Sequence, residues 1–218
     1  MIRVICPTYN RPERLERAVT SFLKQKTTVE KELIIVDNGC TRHINGFDCD
    51  CIHTVRNDVN ENPCKAINDN ILKGAINTLL FDDDTFADDL SLQNRINPIL
   101  EGRADSTYSD AHDFGQSNRV YRPGIVDLKR ILKSDCIYFG SLAWNDKAYA
   151  LCGKIREDMW LQSDWLFKIK LFKYCKVEYV PAVTLMAEIH DGRETVKQDF
   201  RKERENEIIK NWIKDNIK

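Results

Sequence analysis

The stretch INTLLFDDD, residues 76–84, is the most apolar strand candidate in the chain and runs directly into three consecutive aspartates. Asp82, Asp83 and Asp84 repel one another, so a fold that sets them behind a buried strand needs a compensating positive charge. In an extended segment residues i and i+2 point the same way, which gives Asp82 and Asp84 one shared ligand and turns Asp83 aside. Oxygen ligands of this kind suit Mn2+ or Mg2+, which bind through one or two carboxylates and leave phosphates to complete the shell. The triplet is equally compatible with an acidic loop in which Asp84 caps a helix starting near Asp88. Its position after a buried strand favours the metal reading, because parallel sheets put their chemistry beyond the strands' C-terminal ends.

Upstream the same pattern recurs. Residues 2–6 (IRVIC) form a short apolar run stopped by Pro7, and residues 11–25 place Leu15, Val19, Phe22 and Leu23 at helical spacing. Leu33 to Val36 is a second run, ending at Asp37-Asn38-Gly39; Ile52 to Val55 is a third strand, and residues 64–73 read as a helix. Short buried strands alternating with helices of about 10–15 residues predict an α/β fold with a mainly parallel, Rossmann-like sheet covered on both faces. Thr8, Asn10, Asp37 and the aspartates then share one sheet edge.

Downstream a helix is expected at about 88–101, and the polar and aromatic segment through 125 follows no clear period. CIYFGSLAW (136–144) reads as a strand, Asn145 and Asp146 as helix caps, 158–174 as an amphipathic helix, and VEYVP (177–181) as a strand. From Val196 on, Phe200, Ile208, Ile209, Trp212 and Ile213 mark a surface helix with one apolar stripe.

The chain of 218 residues is long enough for one large α/β domain, read as two parts (1–90 and 91–195) and a C-terminal helix (196–218). With 33 basic against 34 acidic residues the net charge is -1, so no global field draws a nucleic acid or a membrane surface. No apolar stretch approaches the ~18 residues of a membrane span, and Met1 leads straight into a strand without a signal sequence. A soluble, cytoplasmic protein is expected, with its eight cysteines as free thiols. Cys49 and Cys51, with Cys40 and His53 nearby, lack the second matching pair that a zinc site requires.

Four segments in order, VICPTYNRPERLERAVTSFLKQ, ELIIVDNGC, KAINDNILKGA and LLFDDD, resemble the successive signatures of family 2 glycosyltransferases with the GT-A fold. The resemblance covers about residues 2–192 and is strongest over the first 90. It implies that Pro7, Thr8, Tyr9, Asn10 and Arg11 line a nucleotide pocket and that Asp37 accepts hydrogen bonds from the base or ribose. Lys65 and Asn68 are the nearest match to a middle motif from which the chain departs. The resemblance further implies that Asp82 and Asp83 meet the nucleotide, and that Asp82 and Asp84 of a DxD motif hold the metal, with His190 a further ligand.

The segment REDMWLQSDWLFKIKLF resembles the region of the family's catalytic base. Asp164, followed by Trp165-Leu166 and well spaced from KVEYVP, fits the downstream pattern, whereas Glu157-Asp158 keeps the acid-then-Asp order; Asp164 is preferred and Asp158 is the competing candidate. The implied reaction is transfer of a sugar, with inversion, from a nucleotide-sugar donor to a hydroxyl of a glycan or other acceptor. A UDP-sugar is favoured among donors, ahead of a GDP- or dTDP-sugar. Two alternatives share the aspartates: a sugar nucleotidyltransferase, although CPTYNRPE lacks the glycines of a triphosphate loop, and a binding protein without catalysis. Trp144, Trp160 and Trp165 either line an acceptor cleft or pack in the core, the commoner fate of tryptophan.

Overall fold

The computed structural model describes residues 1–47, 49–192 and 201–217. Strand β1 (Ile2–Thr8) enters helix α1 (Pro12–Leu23), then come β2 (Lys31–Asn38), β3 (Ile52–Asn57), α2 (Pro63–Asn68), β4 (Ile76–Leu79) and β5 (Asp84–Phe86). The second half holds α3 (Ser91–Leu100), β6 (Ser106–Gly115), β7 (Val120–Tyr121), α4 (Leu128–Lys133), β8 (Ala143–Trp144), α5 (Asp146–Cys152), α6 (Ser163–Tyr174), β9 (Val177–Ile189) and α7 (Arg201–Asn216).

All strands belong to one sheet in the order β3-β2-β1-β4-β8-β6-β9-β5, with β7 paired to β6. The first four run parallel. Beyond them β8 is antiparallel to both β4 and β6, while β9 runs parallel to β6 and antiparallel to β5. The period of two along the strands sorts side chains between two cores. Ile2, Val4, Cys6, Leu33 and Ile35 face α1 and α3, while Ile5, Ile34, Val36 and Leu79 face α2, α5 and α6. Helix α7 lays Ile208, Ile209, Trp212 and Ile213 on the second core; Val196 and Phe200 lie outside the described residues. No described helix is long and apolar enough to cross a membrane.

Three expectations need correction. CIYFGSLAW forms a strand only at Ala143–Trp144, preceded by a 3-10 turn at Phe139–Ser141. Its apolarity serves burial of Ile137, Leu142 and Trp144 in the second core instead of strand pairing. The long polar segment that follows no period is strand β6, whose Ser106, Thr107, Ser109 and Asp110 are buried by the sheet on either side. VEYVP is likewise only the start of the 13-residue β9.

Candidate active site

The parallel strands deliver their C-terminal residues to a cleft of about 680 Å³. The aspartate segment lines it, and this segment is a turn: the Asp84 N–H donates to the Phe81 carbonyl at 3.0 Å. The expected extended geometry, with Asp82 and Asp84 side by side and Asp83 turned away, is therefore not what forms. The chain must leave the sheet centre at β4 and cross to the opposite edge, where Asp84 opens β5 against Ala187 of β9, and a reversal does this.

Each aspartate is nonetheless buried, at 4%, 6% and 2% exposure for Asp82, Asp83 and Asp84. Asp82 accepts the Thr8 hydroxyl at 2.8 Å and Arg11 Nη1 at 3.1 Å. Burial pushes its carboxyl above the ordinary range, with Arg11 pulling the other way. Asp83 faces His190, whose Nε2 donates at 3.2 Å, and lies 3.7 Å from Arg11. Beneath them Arg95, completely buried, donates to the hydroxyls of Thr78 and Thr184 and to the Gly140 carbonyl. Desolvation lowers its pKa to about 9 and the charge of Asp84 opposes that fall, so it stays a fixed cation behind the turn at neutral pH.

The first turn of α6 and the segment leading into the 3-10 turn also line the cleft, bringing Asp164, Asp135, Tyr138 and Phe139 to it. An acid in the first turn of a helix is favoured by the N-terminal dipole. Lys168, one turn on, is fully buried and donates to Asp164 at 2.9 Å and to Asp135 at 2.7 Å. Desolvation alone would lower its pKa; the two carboxylates outweigh that and hold the ammonium charged. Tyr138 donates to Asp113 of β6 at 2.6 Å, and Arg119, Tyr121 and Trp160 complete the rim.

The family model for glycosyl transferase family 2 matches residues 3–154. The chain belongs to glycosyl transferase family 2. No curated protein sequence matches it. Among solved structures, S. aureus TarS is similar at 17% identity with a TM-score of 0.68, over 86% of this chain and 36% of TarS. TarS 1-349 in complex with UDP-GlcNAc aligns at 15% identity and a TM-score of 0.69, over 91% of this chain and 61% of that one. TarS 1-349 in complex with UDP aligns at 17% identity and 0.68, over 86% and 60%. This chain thus spans about a third to three-fifths of the chains it resembles, and what is shared is the GT-A-like fold.

Within that family 2 fold, Pro7, Thr8, Tyr9, Arg11, Asp82, Asp83, Asp84 and Asp164 all line the cleft. Other expected residues are engaged elsewhere. Asn10, in the left-handed region at φ 55, binds the Thr41 N–H with its side-chain oxygen. Asp37 gives both oxygens to neighbours, the Cys40 N–H at 2.8 Å and Arg56. Burial alone would raise its pKa, but these bonds hold it below the ordinary range. Lys65 bridges Glu61 and Asp69 along α2. Asn68 is consumed by Ile155, Glu157 and Tyr149, tying α2 to the segment around α5. Asp158 stands outside the cleft wall, paired with Arg156, whose hydrogen bonds hold its carboxyl low.

Asp113, Asp135, Arg95 and Lys168 escape sequence reasoning. For Lys168 a signal exists: it lies four residues after Asp164, the spacing of a helical ion pair, and interrupts an otherwise apolar face. Trp144 is fully buried in the core and Trp165 donates to the Ile131 carbonyl, which leaves Trp160 as the tryptophan of the three that reaches the cleft.

Proposed function

We propose that this chain transfers a sugar from a nucleoside diphosphate sugar, with a UDP-sugar favoured, to an acceptor hydroxyl with inversion, and that Asp164 is the base. The observation that carries this reading is the shared cleft: a buried acidic turn and a helix-borne carboxylate, Asp164, line one space of about 680 Å³, within the range of small-molecule sites. Family 2 membership supports the reaction class. The UDP and UDP-GlcNAc complexes of the TarS fold support the nucleotide end.

Asp164 accepts the proton of the acceptor hydroxyl. The acceptor oxygen then forms its bond to the anomeric carbon as the bond from that carbon to the diphosphate oxygen breaks, and the electron pair leaves on the nucleoside diphosphate. Attack opposite the leaving group inverts the centre. Arg11, at the cleft floor beside Asp82 and Asp83, offers a cation to the departing diphosphate.

A divalent cation fits the acidic end on the chemistry of its donors. Asp82, Asp83 and Asp84 bring three buried carboxylates together at the cleft, and burial already disfavours the charge on Asp82. Asp82 and Asp84 would hold Mn2+ or Mg2+, two protein carboxylates being a usual number for such ions, whereas His190, the further ligand that the family resemblance implies, has both ring nitrogens engaged by Asp83 and Gly192 and would act from behind Asp83. When bound, the ion supplies Lewis-acid neutralisation of the diphosphate.

The test is a thermal-shift panel of UDP-, GDP- and dTDP-sugars with and without Mn2+, followed by donor turnover. Stabilisation by one donor only with metal supports the reading. Asp164→Asn should lower kcat by about 10²–10⁴-fold while leaving donor binding nearly intact. A fully active Asp164→Asn protein removes the base assignment, and turnover unchanged in chelator removes the metal.

A further inference from the structure

Two carboxylates share one ammonium below the cleft. Lys168 has no exposed side-chain surface. It donates to Asp164 Oδ2 at 2.9 Å, to Asp135 Oδ2 at 2.7 Å and to the Ile137 carbonyl at 2.7 Å. Its three donors are thereby all used. With both acids ionised, the cluster carries one net negative charge.

That surplus matters chemically. An aspartate paired with a lysine of its own forms a neutral couple whose ammonium holds the carboxylate in its charged form and makes it a poor proton acceptor. A second carboxylate on the same ammonium divides its field and adds repulsion of its own, so uptake of one proton brings the group to neutrality. Geometry is fixed at the same time. Asp164 and Lys168 sit one turn apart on α6, and the bond to Oδ2 sets the direction in which Oδ1 points.

We propose that Lys168 and Asp135 are positioning residues for Asp164: Lys168 anchors Oδ2 and leaves Oδ1 for the acceptor hydroxyl, and Asp135 supplies the second negative charge that lets the cluster take up its proton. This rests on Asp164 being the base. The proton moves from the acceptor oxygen to Asp164, the cluster passes from one net negative charge to none, and the proton returns to water after product leaves.

Burial holds the Asp135 carboxyl up at about 6, with the charge of Asp164 adding to that rise and Lys168 opposing it. Among the described residues, Cys64 of α2 feels Asp164, and Cys136 and Tyr121 of β7 feel Asp135, while Glu157 and Glu205 act on Cys64 and Arg130 of α4 on Cys136 and Tyr121. Burial keeps Cys64, Cys136 and Tyr121 protonated. None of the six is hydrogen-bonded to Lys168, which is given wholly to the two aspartates and a carbonyl.

The experiment is a pH titration of the aspartate carboxyl carbons by 13C NMR in the free protein, with signals assigned by Asp164→Asn and Asp135→Asn. In the wild type Asp135 should titrate at about 6, held up in part by the charge of Asp164. Asp164→Asn removes that charge and should lower the Asp135 midpoint, and Asp135→Asn should abolish the step at about 6. Lys168→Arg keeps the charge and should retain the linkage. An Asp135 curve that ignores loss of Asp164 overturns the proposal. Release of UDP from UDP-GlcNAc with Mn2+ by Asp164→Asn separates the two failures. An inactive variant with unlinked titrations sinks the cluster alone, and a variant as active as wild type sinks the base assignment on which it rests.

Discussion

His190 Nε2 donates to Asp83 Oδ2 across 3.2 Å, and the Gly192 N–H donates to Nδ1 of the same ring at 3.0 Å. Those two bonds fix the neutral tautomer with its proton on Nε2. They also join the end of β9 to the aspartate turn, a junction that Arg11 reinforces by donating to the Gly192 carbonyl at 3.0 Å. Asp83, the middle carboxylate that alternation turns aside, is therefore held as firmly as its neighbours. His190→Ala and Asp83→Asn should each weaken Mn2+-dependent stabilisation by UDP about 10–100-fold, the range found when groups around a metal are removed. Thermal shift against Mn2+ concentration checks this, and an unchanged midpoint in both variants would leave the His190–Asp83 bond without a role in ion binding.

Gly140 tests the acidic end from behind. A Cβ added there would lie 2.8 Å from Asp84 Oδ2 and 3.3 Å from both methyls of Leu185. The backbone tolerates a side chain at this position, so the effect of Gly140→Ala falls on the carboxylate and not on φ. Displacing Asp84 should lower kcat/KM about 10-fold or more, since small misplacements of positioning groups have large effects. Overpacking should cost about 1–3 kcal/mol of stability. Steady-state kinetics beside urea unfolding measures both, and full activity would show that Asp84 can move without consequence.

How the sequence maps onto this site follows from which physical signals survive in one dimension. Buried parallel strands announce themselves as apolar runs, so β1, β2 and β4 and the polar residues at their ends are legible, and with them Thr8, Arg11 and the three aspartates. Strand β6 is not, because Ser106, Thr107, Ser109 and Asp110 are buried polar residues satisfied by partners distant in sequence, such as Tyr179 on Asp110 at 2.6 Å. Periodicity also cannot report that Asp82 to Asp84 form a turn, since the cause is where β5 pairs, some hundred residues away at Ala187. Asp135 is invisible for the same reason: only the fold brings it to Lys168.

Glu205 of α7 reaches back to the cleft. Its carboxylate, 3% exposed, accepts the backbone N–H groups of Trp160 at 2.8 Å, Leu161 at 2.9 Å and Gln162 at 2.8 Å. These residues lead directly into Ser163 and Asp164, and Trp160 and Leu161 line the cleft. Hydrogen bonds to a charged acceptor contribute about 1.5–3 kcal/mol each, although three on one carboxylate do not add fully. Glu205→Ala should therefore destabilise the protein by about 2–4 kcal/mol and free the loop before the base. Glu205→Gln keeps the shape and one acceptor oxygen, so it should retain more of both stability and turnover. Urea unfolding and amide exchange at 160–162 provide the check; unaltered exchange in Glu205→Ala would detach the C-terminal helix from the site.

Asp135 makes stability depend on pH in a definite direction. Its carboxyl is held at about 6 in the fold against a reference of 3.8. A folded value above the unfolded one means that the native state binds the proton more tightly, so the group's contribution is complete below about pH 4 and is lost as pH rises through about 6. Asp135→Asn has no proton to lose. It surrenders a partner of Lys168 at every pH, a roughly constant cost, but escapes the pH-dependent one. Relative to wild type it should thus fare better at about pH 7.5 than at about pH 4.5, the crossover lying between the two carboxyl values. The shift should fall short of its full thermodynamic limit, because 35% of the Asp135 side chain is exposed and water screens its charge. Urea unfolding of both proteins at the two pH values decides it. An identical difference at both would mean that Lys168 fully offsets the burial of Asp135, and that this carboxylate is ionised at no cost.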